Sequence, residues 1–161
     1  MALDRRKTVV LESIRRFLRK SAPGHLANLV GKIRPQDFPA IYAELTERER
    51  VALFRQLADR DYEGAAILLV ELPPGEAVEV LTLLAVPQAA KLLGECSGDD
   101  AAELLARIEP ARAEELLRAM APEDKAAVEQ LLIYEEETAG RIMTPEVFAL
   151  TEETTVSQAS R

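Results

Sequence analysis

The chain has 161 residues, 48% apolar and 30% charged, with one cysteine, no tryptophan and a net charge of -8. That is enough to bury one ordinary core, and a composition rich in Ala and Leu with only 4% aromatics favours helices over a β-sandwich, so the chain reads as one soluble domain with an appendage. The longest apolar run, Ala65 to Val70, falls far short of the roughly 20 residues of a membrane span. The N-terminus lacks the apolar stretch of a secretory signal, and a single cysteine excludes an internal disulfide and suits a reducing compartment.

Residues 5 to 20 read as a basic helix with Val10, Ile14 and Phe17 on one face, within an N-terminal segment 1–22. Residues 1 to 20 hold seven Lys or Arg against Asp4 and Glu12, a balance of +5 that leaves -13 on the remainder. An acidic body argues against nucleic-acid phosphates and suits cations or basic partners. Arg15, Arg16, Arg19 and Lys20 have two readings: a contact for an anionic membrane, or the solvated face of a helix that caps a helical array, the plainer of the two. His25, the one histidine, sits near a helix start and leaves no His-based zinc cluster to form.

The body is an internal repeat of twelve residues. From 73 to 132 it reads PPGEAVEVLTLL, AVPQAAKLLGEC, SGDDAAELLARI, EPARAEELLRAM, APEDKAAVEQLL without a gap. Upstream, residues 34 to 45, 46 to 57 and, after a three-residue insertion, 61 to 72 fit the same frame, making eight copies. Apolar residues at the fifth, eighth, ninth and twelfth places have the i, i+3, i+4, i+7 spacing of one helical face. Pro35, Pro74, Pro110 and Pro122 stand at the second place, suited to a first helical turn, while Thr46 with Glu49 and Ser97 with Asp100 have capping-box spacing. Each copy is therefore one short helix and a tight link. The expected fold is all-α, a superhelical array of short helices in a domain 23–138, with the small residues Ala77, Ala89, Ala101 and Ala113 letting consecutive helices approach closely.

Ala121 to Ala139 read as a longer terminal helix stopped by Gly140. Residues 139–161 then read as a linker, a short strand at 147–150 and the start of a helix at Thr155. Glu135, Glu136 and Glu137 close the long helix at its negative pole, where Arg141 or a bound cation offsets their charge unless they are simply solvated.

Residues 26 to 161 resemble the cytosolic N-terminal domain of the MgtE magnesium transporters running into the start of a CBS domain. The resemblance is carried by IRPQDFPAIYAEL (33 to 45), the helical twelves and the junction YEEETAGRIMTPE (134 to 146). It implies a homodimeric, magnesium-gated transporter whose N-terminal and CBS domains lie on the cytoplasmic side of the membrane, with Mg2+ between acidic surfaces holding a closed state. It also implies CBS and transmembrane domains as partners, with the membrane touched only through the latter.

By the same resemblance Asp99 and Glu103 fall where family members carry acids directed at the CBS domain. Their i, i+4 spacing puts both on one face of a helix, and Mg2+ takes oxygen ligands while needing only one or two carboxylates. The alternative is a solvated helix start, and Asp100 is assigned to capping. Two positions depart from the family: Arg141 replaces a second glycine, and Ile67 stands where some members have an acid. A non-enzymatic regulatory domain is the leading reading. The alternative is a protein-binding scaffold resembling the middle domain of the flagellar motor switch protein. Cys96 at an apolar place reads as core, and no phosphate loop or nucleophile elbow supports an enzyme.

Overall fold

A computed structural model describes residues 2 to 132, with side chains from Arg6 onward. The expected helix beyond Leu132, its stop at Gly140, the 134–146 junction, the 147–150 strand and the helix start at Thr155 lie outside the described residues. Within them the elements are α1 (Ala2–Arg19), α2 (Pro23–Val30), a 3-10 turn (Pro35–Asp37) leading into α3 (Phe38–Tyr42), α4 (Glu47–Ala58), α5 (Tyr62–Val70), α6 (Pro74–Leu83), α7 (Val86–Gly94), α8 (Gly98–Arg107), α9 (Pro110–Ala119) and α10 (Pro122–Leu132). The described fold is all-α.

Seven of the eight copies of the twelve-residue frame become one α-helix that begins at the second place, and the first copy begins there as the 3-10 turn that leads into α3. Prolines there fill the first turn, where no intrahelical acceptor exists for an N–H. The first place supplies the cap: Thr46 Oγ1 accepts from Glu49 N while Glu49 Oε2 accepts from Thr46 N, a complete capping box. Ser97 caps differently from that box. Its hydroxyl accepts from Asp100 N and donates to the Asp100 carboxylate, so Asp100 is held by the cap's side chain instead of its backbone.

The eighth-place residues Val80, Leu92, Leu104, Leu116 and Val128 are all buried, as are Leu81, Leu93 and Leu105 at the ninth. One apolar cluster runs from Leu11 on α1 to Leu131 on α10. From α5 onward, however, the closest packing is between alternate helices: α7 with α9, α8 with α10, and, less extensively, α5 with α7 and α6 with α8. This corrects the expected approach of consecutive helices over that part of the array, whereas α4 and α5 do pack on each other as expected. A ten-residue helix is about 15 Å long, and a link of two or three residues redirects the chain at its end, so successive helices meet mainly near their ends while every second one lies alongside. Ala77, Ala89 and Ala101 are fully buried in those contacts; Ala113 is half-buried.

The array is closed at its beginning by α1 and α2, which pack on each other and on α4. Helix α1 ends in a Schellman motif, with Ala22 N donating to Phe17 O and Ser21 N to Leu18 O, and Ser21 takes the left-handed conformation at φ 48°. Arg15 is not a solvated cation. It pairs with Glu12 and Glu49 and donates to Glu44 O, tying α1 to α4 and the loop before it. His25 lies in the first turn of α2, as its position predicted.

Candidate functional site

The candidate site lies at the start of α8. Ser97 fixes the helix N-terminus, which places Asp99 and Asp100 in its first turn and Glu103 one turn further, about 6 Å along the axis from Asp99. The apolar face of α8, Ala101, Ala102, Leu104 and Leu105, is buried, and this orients the helix so that Glu103 is exposed and Asp99 half-buried.

No hydrogen bond or ion pair engages the Asp99 carboxylate among the described residues. Glu103 is paired with Arg107 at 3.3 Å, both side chains about half exposed at 55% and 49%. An exposed i, i+4 pair of this kind stabilises by only about 0.3–0.5 kcal/mol, so a divalent ion competes with it readily. Among the described residues no three His, Cys, Asp or Glu come together in a metal-holding group. The donors present are carboxylate oxygens on one helical face, which fits a hard, partly hydrated ion such as Mg2+ as half of a site.

Helix α10 lies along α8 with its end beside α8's start, so that a methyl group placed on Gly98 would meet Leu131 Cδ1 at 3.4 Å and Ala127 Cβ at 3.9 Å. The end of α10 therefore lies beside the first turn of α8, which carries Asp99. A cleft of about 330 Å³ opens between the α7–α8 link and α10, lined by Glu95, Cys96, Ser97 and Asp124 among others. Cys96 donates to Leu92 O, and burial pushes its thiol up to about 12; it is half-buried and packs against the core, in keeping with its apolar place in the repeat.

Two arginines with structural roles were not legible in the sequence. Arg50 stacks over the Tyr42 ring at 4.8 Å, donates to the Ala43 and Leu45 carbonyls and faces Glu79 on α6. Arg112 on α9 reaches back to the Leu81 and Leu84 carbonyls at the end of α6. Each satisfies orphan carbonyls at a helix end in another copy, a partnership that no local spacing encodes.

A family model described as the MgtE intracellular N domain matches residues 33–137. The chain belongs to the MgtE N-domain family. Two solved structures place this MgtE domain among known folds. The crystal structure of the soluble part of a magnesium transporter matches with a TM-score of 0.81 at 23% identity, over 96% of this chain and 60% of that one, a likeness of fold. The crystal structure of the cytosolic domain of the Mg2+ channel MgtE in complex with ATP matches with a TM-score of 0.80 at 32% identity, over 93% of this chain and 60% of that one. This MgtE domain thus spans 60% of each of those chains. No curated protein sequence matches it. None of the described helices is long and apolar enough to cross a membrane.

Proposed function

We propose that this chain is the Mg2+-responsive regulatory module of a magnesium transporter, acting on the cytoplasmic side of the membrane as one half of a homodimer. In this reading Asp99 and Glu103 supply one wall of a Mg2+ site and the CBS domain supplies the other. Mg2+ between them draws the modules together and favours the closed state; its loss lets them part. The acidic body, at -13 outside the first 20 residues, makes such a joint repulsive without cations and adhesive with them.

The observation that carries the reading is the juxtaposition of α8's start with the end of α10. Leu131 near the end of α10 lies beside Gly98, the neighbour of Asp99, so in this reading a CBS domain following α10 would have the Asp99 carboxylate within its reach. Enzymatic turnover is not part of the proposal.

The test is limited proteolysis of the intact cytosolic assembly. Millimolar Mg2+ is expected to slow cleavage, and Asp99→Ala with Glu103→Ala to remove most of that protection while circular dichroism stays unchanged. Identical digestion with and without Mg2+ would overturn the regulatory reading. Protection that survives the double substitution would overturn only the assignment of these two residues.

A further inference from the structure

The basic N-terminal helix has no part in the Mg2+ joint, and the structure changes which of its cations are available. Arg15 is committed to Glu12, Glu49 and Glu44 O, and Arg16 lies over the Phe17 ring. A different set of cations frames a groove of about 1000 Å³ between α1, α2 and the turn before α3. Its floor is apolar, with Val10, Leu29 and Ile33 half-buried, and its rim carries Arg6, Lys7, Lys32 and Arg34. Lys7 pairs with Glu44 at 3.1 Å and Arg34 with Asp37 at 2.8 Å. Arg6 and Lys32 are exposed and have no ion-pair partner among the described residues.

We propose that this end of the array docks on an anionic phospholipid bilayer, with Arg6 and Lys32 on headgroup phosphates and the groove floor, with Val9, against the acyl boundary. Charge selects the occupant. The first 20 residues carry +5 and the rest -13, so an anionic plane attracts this end and repels the body, which fixes the orientation of docking. Shape favours a bilayer over an acidic helix. Val9, 65% exposed beside Val10 on α1, stands outside the groove as a convex apolar residue. A single helix seated in the groove leaves it in water, whereas a lipid interface covers groove mouth and ridge together. The proposal rests on the transporter reading only to explain why a membrane is within reach; the binding is tested without it.

The experiment is co-sedimentation of the 161-residue chain with phosphatidylglycerol–phosphatidylcholine vesicles and with pure phosphatidylcholine vesicles, in EDTA so that no divalent ion contributes. Binding is expected only to the anionic vesicles and is expected to weaken steeply with salt. Removing one headgroup contact lowers the partition coefficient about fivefold, so Arg6→Gln and Lys32→Gln should each do so. Val9→Asp should weaken binding with unchanged circular dichroism, and Arg118→Gln on α9 should have no effect. Equal binding to both vesicle types, insensitivity to Arg6→Gln and Lys32→Gln, or binding of an acidic amphipathic peptide in place of vesicles would each overturn the proposal. Loss of vesicle binding with Mg2+ protection intact removes the docking surface alone, and the reverse result removes the Mg2+ joint alone.

Discussion

Glu103 and Glu49 make opposite uses of a carboxylate beside an arginine. Glu103 shares Arg107 in an exposed pair that stabilises the helix little, so under the proposed function the arginine would compete with Mg2+ for that carboxylate. Arg107→Ala is therefore expected to raise the apparent Mg2+ affinity of the assembled cytosolic region severalfold, read as a lower Mg2+ midpoint for protease protection. An unchanged or higher midpoint would argue that Glu103 is not a ligand. Glu49 is structural. Burial alone would push its carboxyl up, but hydrogen bonds with Thr46 and the Arg15 guanidinium outweigh this and hold it below its ordinary value. A carboxyl lowered in the folded state stabilises above its unfolded pKa and loses that contribution as pH falls through the lowered value. Glu49→Gln is accordingly expected to cost about 0.5–1 kcal/mol at pH 7 and almost nothing in acid, as measured by urea midpoints at the two pH values. The Thr46–Glu49 cap was legible because it is local. The link from Glu49 to Arg15, across 34 residues, was not.

At the scale of the element, the repeat frame carried most of the architecture. Helix starts, buried eighth and ninth places and the packing of Cys96 all follow from a phase of twelve, because a link of two or three residues leaves each helix little freedom of register. What the frame does not contain is which helix each face meets. The small fifth-place residues are compatible with close approach of any neighbour, and only the turn angles of the links make that neighbour the alternate helix. Asp99 and Glu103 were legible as a shared helical face, whereas the position of that face beside the end of α10 depends on the same link geometry. Ala101 is 1% exposed, in the part of α8 packed by its neighbours. Ala101→Leu should cost about 1–3 kcal/mol through overpacking, against a smaller loss for Ala113→Leu at the half-buried equivalent place, with thermal unfolding as the comparison. Equal losses at the two sites would mean that the fifth place is not a contact position in the way the packing indicates.

Over the whole molecule, alternate packing gives the stack an unusual pattern of dependence. In a solenoid of successive contacts, removing the last helix uncovers the one before it. Here α10 rests chiefly on α8, and α9 on α7. Truncation after Met120 should therefore expose α8 and leave α9 largely in place. Val128 and Leu131 are the buried side chains of α10, and burying each stabilises by about 1.5–3 kcal/mol. Their loss exceeds the roughly 1.4 kcal/mol that corresponds to a factor of ten. Amide exchange in α8 should accelerate more than tenfold in the truncated chain, with α9 changing less and α4, whose neighbours are α1, α2, α5, α6 and α7, changing least. Acceleration that declines steadily from α9 through α8 to α7 would instead indicate successive stacking. The same truncation tests how the site is held, since α8 carries Asp99 and Glu103. If α10 orients α8, as their packing indicates, α8 should lose its fixed presentation of the two carboxylates while the rest of the array stays folded.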